Sequence, residues 1–168
     1  MGLERGGTYL DLGCSAGFYT RNLARMLDGR GEVVGIDISP SMLKEAARRA
    51  RKVDARPSFV RTDAHNLPFA DAGFSGALCG GTLNELGDPA RALRETRRVL
   101  KPGGRLAVMG ILRSRTSRGH RRQRFLTIGG VRFFDPSELG SLFDHAGFEL
   151  DPLRKHGLIF FLGATRRG

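Results

Sequence analysis

Cysteine and tyrosine occur only twice each in this sequence, tryptophan is absent, and acidic residues are few beside basic ones. The two cysteines, Cys14 and Cys79, stand in no paired or metal-ligand spacing, which argues against a disulfide scaffold and a metal centre and fits a reducing cytoplasm. No apolar run is long enough to span a bilayer. The amino-terminal residues lack the apolar stretch of a signal peptide, and position six is Gly6 where a myristoylation signal needs Ser or Thr. There is no internal repeat and no low-complexity linker. Asp and Glu together number 17 against 28 Lys and Arg, giving a formal net charge of +11 over 168 residues. That imbalance favours acidic partners, whether nucleic acid, anionic lipid or an acidic small molecule. Runs such as Arg48, Arg49, Arg51 and Lys52, or Arg91, Arg94, Arg97 and Arg98, read first as solvated helix faces.

What is present alternates in type along one domain spanning 1–168. Strands are expected at Thr8–Leu12, Glu32–Asp37, Pro57–Arg61, Phe74–Cys79, Arg105–Leu112, Phe148–Leu153 and Gly157–Ala164. Helices are expected at Tyr19–Asp28, Pro40–Lys52, Pro89–Leu100 and Pro136–Ala146. Ser39, Asp88 and Asp135 stand as caps, and Pro follows each cap at the first helical position. Lys101-Pro102-Gly103-Gly104 is a turn between helix and strand. The pattern predicts an α/β fold, doubly wound, with a mostly parallel seven-stranded sheet whose last strand is antiparallel. Ligands of such sheets bind at the carboxyl ends of the strands.

The segment Tyr9-Leu10-Asp11-Leu12-Gly13-Cys14-Ser15-Ala16-Gly17 runs from a strand through a glycine turn into a helix. This arrangement collects backbone N–H groups and a positive helix end at one point, with Asp11 offering a carboxylate beside them. A ligand bearing both a carboxylate and an ammonium suits that pairing. The Gly-x-Gly-x-x-Gly dinucleotide fingerprint fails at Ser15 and Phe18. Gly13-Cys14-Ser15-Ala16-Gly17 fits the nucleophile elbow of hydrolases, but on a first strand in a short chain.

Asp11, Gly13 and Gly17 also match the Asp-x-Gly-x-Gly-x-Gly loop, and from Tyr9 to about Ala164 the chain resembles the class I S-adenosylmethionine-dependent methyltransferases of the small-molecule type. It is similar to those of ubiquinone and menaquinone biosynthesis. The resemblance implies a Rossmann-like methyltransferase fold with S-adenosyl-L-methionine as cofactor and no metal. It implies that Asp11, Gly13, Cys14, Ser15 and Gly17 surround the methionine part, and that Asp37, ending Val33-Val34-Gly35-Ile36-Asp37, accepts the ribose hydroxyls. Ile38 and Met42 would flank the adenine. Asp63 and Ala64, in Arg61-Thr62-Asp63-Ala64-His65-Asn66-Leu67-Pro68-Phe69, match the adenine-recognition segment, and Cys79 and Gly80 would touch the methionine portion. Arg98-Val99-Leu100-Lys101-Pro102-Gly103-Gly104 matches a structural signature of the family. The chain departs from the family where Ser15 replaces a glycine, where Ser75 replaces a frequent Asp, and where only seven residues precede the first strand, without the helical cover relatives carry.

The stretch at about 113–134 is too long for an ordinary connection and holds seven arginines with no acid. It is expected to be a basic substrate lid at the same rim. Tyr19, Asn84, Glu85, His120, Arg132 and Phe133 are the candidate pocket wall; no acid–base constellation stands out. The expected reaction is C- or O-methylation of a small acceptor such as a quinone, a phenol or an acidic metabolite. An RNA- or DNA-binding methyltransferase and a catalytically silent cofactor-binding domain are the alternatives. After the fourth strand there is no Asn/Asp-Pro-Pro-Tyr motif of amino-group methylation, which weighs against the nucleic-acid reading.

Overall fold

The computed structural model describes residues 2–51 and 57–168, except for the side chains of Ser117, Arg118, His120 and Arg122. The strands are β1 (Gly7–Leu12), β2 (Gly31–Asp37), β3 (Ser58–Arg61), β4 (Phe74–Gly80), β5 (Leu100–Ile111), β6 (Phe148–Leu150), β7 (Arg154–His156) and β8 (Ile159–Arg166). The helices are α1 (Phe18–Leu27), α2 (Pro40–Ala50), α3 (Pro89–Val99), α4 (Ser117–Ile128) and α5 (Pro136–His145). All the expected strands and helices form, with ends shifted by a few residues; Lys52, the expected end of α2, lies outside the described residues.

The sheet order is β3-β2-β1-β4-β5-β8-β6, with β7 on β8. Pairing is parallel from β3 to β5 and antiparallel among β5, β8, β6 and β7. The sheet therefore has eight strands where seven were expected. The expected strand Phe148–Leu153 breaks after Asp151, whose N–H still reaches the Gly163 carbonyl at 2.9 Å. Pro152 has no N–H to continue the ladder, and pairing with β8 resumes as β7. The Lys101–Gly104 turn is present as an outward excursion within β5: Phe74 pairs Leu100 and Gly76 pairs Arg105, so one β4 residue stands opposite four on β5.

The sheet divides two unequal cores. On one face Leu10, Leu12, Ile36, Ala77, Leu106, Val108 and Phe160 pack with α3 and α5 through Ala92, Leu93, Leu139 and Phe143. On the other, Tyr9 and Val33 meet Leu23, Ala24 and Leu27 of α1. No described helix covers β4, β5 and β8 on that second face. A trough of about 550 Å³ runs there, lined by Leu78, Ala107, Met109 and Phe161, with Tyr19 and Gly80 also in its wall.

Phe160 is fully buried, and its ring fills the space that a side chain at Gly110 would need. Phe160→Ala is expected to lower the unfolding free energy by about 3–5 kcal/mol, read by urea denaturation, because the rigid sheet cannot close the cavity.

Candidate functional site

Position β1 centrally and its carboxyl end faces those of β2 and β4. The loop that leaves it alternates handedness: Gly13, Ser15 and Gly17 have φ of +65°, +47° and +72°. Gly13 is required twice over, since a Cβ there would also fall 2.1 Å from the Thr82 hydroxyl. The loop is pinned to β2. Cys14 N–H donates to the Ile36 carbonyl at 2.8 Å, and Ser15 N–H donates to Asp37 Oδ2 at 2.9 Å. Asp37 Oδ1 accepts from Ser39 N–H at 2.8 Å, where Ser39 caps α2. One carboxylate thus joins the glycine loop to the start of the next helix. A carboxylate has about four lone-pair sites, so Asp37 keeps acceptor capacity on both oxygens. Ile38 and Met42 lie beside it with exposed side chains.

Asp11 does not face the opening as the sequence suggested. It is 1% exposed and accepts from the Thr20 hydroxyl at 2.6 Å. Burial pushes its carboxyl up from 3.8 to about 6; hydrogen bonds from Thr20 oppose the rise and the Asp37 charge adds to it. Both thiols, Cys14 and Cys79, are buried and pushed up to about 12, chiefly by desolvation, so neither supplies a thiolate nucleophile near neutral pH. The hydrolase-elbow reading fails on contacts: the one described partner of Ser15 Oγ is Met42 Sδ, at 3.4 Å, with no histidine.

Asp63 is exposed on the loop after β3, and Ala64 beside it is buried. Oδ1 of Asp63 accepts from the His65 backbone N–H at 2.9 Å and contacts His65 Nδ1, leaving Oδ2 without a partner among the described residues. His65 Nε2 accepts from Asp88 N–H at 3.2 Å, which assigns the proton to Nδ1. The loop is further held by α3. Arg91 Nε donates to the His65 carbonyl, Glu95 accepts from Leu67 N–H, and Arg98 donates to the carbonyls of Leu67 and Phe69 and pairs with Asp71 and Glu95. Arg98 is therefore a clasp and not part of a solvated face. His65 and Arg98 were missed in the sequence; the Glu95/Arg98 spacing of one helical turn was the available signal.

Of the expected pocket wall, Tyr19 lies with its ring against Gly80 at the end of β4, in the wall of the trough. Three others are engaged elsewhere. Asn84 is buried and fully engaged, donating to the Ile111 and Arg132 carbonyls at 2.9 and 2.6 Å and accepting from Ile111 N–H at 2.9 Å. Arg132 pairs with Glu138 and stacks over Phe134. Phe133 is buried. Each satisfies the polar or apolar demand of the insertion's own anchoring. Glu85 is exposed at the end of the 3-10 turn Thr82–Asn84, and the side chain of His120, within α4, lies outside the described residues.

A methyltransferase-domain family profile matches residues 10–108, the stretch that carries the glycine loop, Asp37, Asp63 and Gly80. The chain belongs to that family. It is 39% identical over 108 residues to a 2-phytyl-1,4-naphtoquinone methyltransferase of Nostoc punctiforme, covering 63% of this chain and 47% of that one. It is 43% identical over 102 residues to a demethylmenaquinone methyltransferase of Lactiplantibacillus plantarum, covering 60% and 43%. A SAM-dependent methyltransferase from Aquifex aeolicus superposes with a TM-score of 0.81 at 25% identity, over 98% of this chain and 84% of that one. The chain spans about half or less of the length of the curated relatives it matches. The donor set fits S-adenosylmethionine: two carboxylates with free acceptor capacity, exposed apolar side chains beside the first, and a tight turn with left-handed backbone at Gly13, Ser15 and Gly17.

Two outcomes are expected. Ser15→Gly should stabilise the fold by about 1 kcal/mol in denaturant titrations, since an L-residue in the left-handed region is strained by that order. The folded-state value of Asp11 lies above its unfolded one, so its contribution is fully present below pH about 4 and lost as pH rises past about 6. Across that window Asp11→Asn should gain roughly 3 kcal/mol of unfolding free energy relative to the unmodified chain, measured by urea melts at several pH values.

Proposed function

We propose that this domain transfers a methyl group from S-adenosylmethionine to a small acceptor of the quinone or phenol class. The observation that carries the reading is the convergence at one sheet edge of the β1–α1 loop, the Asp37 carboxylate and the Asp63 carboxylate, each anchored through one set of lone pairs and open through another. Asp37 takes the ribose hydroxyls with the acceptor sites that Ser15 and Ser39 leave free. Asp63 Oδ2 accepts from the exocyclic amine of adenine, with Ile38 and Met42 against the ring faces. Gly13, Cys14, Ser15 and Gly17 line the methionine portion from one side, and Cys79 and Gly80 line it from the other. Asp11 places negative potential beneath that loop, suited to the ammonium.

When bound, the cofactor supplies an electrophilic methyl on a sulfonium. The chain's task is then alignment and exclusion of water more than proton transfer. The trough beside Tyr19 and Gly80 gives an acceptor a route to the end of β4; its Leu78, Ala107, Met109 and Phe161 lining suits a flat ring, and Arg105, Asp151 and Arg154 also line it, for polar substituents. The quinone class is supported by the names of the relatives, and the segment 113–134 closes the rim as the acceptor's lid. The two free, buried thiols suit a reducing cytoplasm.

Ligand at a hundred times its dissociation constant should add about 2.7 kcal/mol, a rise in Tm of roughly 5–11 °C for a chain of this size. The expected outcome is such a rise with S-adenosylmethionine or S-adenosylhomocysteine, abolished in Asp37→Asn. Labelled methyl should then appear on a reduced naphthoquinone. Absence of any rise at saturating ligand removes the reading.

A further inference from the structure

Helix α4 is turned inside out relative to an ordinary surface helix. Its well-buried side chain is a glutamine: Gln123 Oε1 accepts from Ser114 N–H at 2.7 Å, and its Nε2 donates to the Leu112 carbonyl at 2.8 Å. The large apolar side chains point away. Phe125 is 78% exposed, Leu126 53% and Ile128 80%. Arg121, Phe125 and Ile128 follow one another at i, i+4 and i+7, and Arg124 lies four residues before Ile128, so cationic and apolar groups interleave on one outward face. Arg115, Arg121 and Arg124 have no carboxylate partner among the described residues, whereas Arg113 and Arg132 at the ends of the insertion are paired with Asp135 and Glu138.

We propose that α4 docks on an anionic lipid surface, seating Phe125 and Ile128 at the acyl boundary while Arg115, Arg121 and Arg124 meet headgroup phosphates. The two halves of this face select that partner together. Phosphate attracts the arginines, and a hydrocarbon boundary accepts the apolar side chains. A nucleic-acid backbone would satisfy the first and leave Ile128 in water. The formal net charge of +11 draws the whole chain toward such a surface. The helix follows the carboxyl end of β5, on the rim where the loops after β1, β2 and β4 also emerge. Docking would therefore turn the candidate site's rim toward the lipid, and a lipid-soluble acceptor could enter from it. That last step rests on the methyl-transfer reading; the docking itself does not.

The test is co-sedimentation of the purified chain with phosphatidylglycerol-containing vesicles and with pure phosphatidylcholine vesicles, at low and high salt. It reads no activity, so its failure is separate from a failure of the methyl-transfer reading. Binding to the anionic vesicles that weakens with salt is expected. Arg121→Gln with Arg124→Gln should cut partitioning by about thirty-fold, at the usual contribution of a basic residue near a charged surface. Phe125→Glu with Ile128→Glu should abolish it. These side chains are exposed, so each variant should melt like the parent, and that is checked alongside. The proposal is overturned if the folded parent chain stays in solution with anionic vesicles, or if both variants bind as the parent does. It is equally overturned if the parent is a dimer in solution that Phe125→Glu with Ile128→Glu converts to monomers while neither form binds vesicles.

Discussion

The Asp37 carboxylate is the interaction on which the site's geometry depends. Its two oxygens hold backbone N–H groups from two segments, the turn after β1 and the cap of α2. The turn is otherwise a costly conformation, with a serine in the left-handed region between two glycines. A charged acceptor at the end of a parallel strand is a strong partner for two neutral donors. It repays part of that cost and leaves both helices starting from one point. The same atom set then determines what the crevice offers a ligand, so the residue that organises the loop is also the one whose unused lone pairs face outward.

Several of the arginines serve as anchors and not as free surface charge. Arg98 gathers two carbonyls and two carboxylates, Arg91 holds the loop after β3, and Arg113 and Arg132 brace the insertion. Because these side chains are half-buried to exposed, their ion pairs contribute little, and their hydrogen bonds to backbone carbonyls do most of the anchoring. What is left over on α4 is correspondingly conspicuous.

The fold was legible because its strands and helices are punctuated by unambiguous caps and turns: Ser39-Pro40, Asp88-Pro89 and Asp135-Pro136 each open a helix where the sequence says one should open. The glycine loop and Asp37 were legible because strand ends in a parallel sheet are where such residues can act. The substrate side was not. Asn84, Arg132 and Phe133 are polar and aromatic residues near the rim, which is also the description of a structural staple. Only the completed hydrogen-bond set of Asn84 separates the two. Asp11 escaped for a related reason: a strand position two residues before the turn fixes the register, but not whether Thr20 will close over the side chain. The break at Pro152 was written in the sequence and simply lies inside a run apolar enough to look continuous.

The staple at Asn84 has a consequence for how this protein can change over generations. It ties the Ile111 backbone to that of Arg132, and the Arg113 N–H is bonded to the Phe134 carbonyl at 2.8 Å, so the segment between them leaves and re-enters the sheet at what is nearly a single point. The cost of closing such a segment rises only slowly with its length, by about 0.6 kcal/mol per doubling. Insertions, deletions and wholesale rewriting between those two junctions should therefore be nearly invisible to the rest of the domain. The structure keeps its most permissive stretch of chain at the mouth of the crevice, as an interchangeable cassette on a fixed socket.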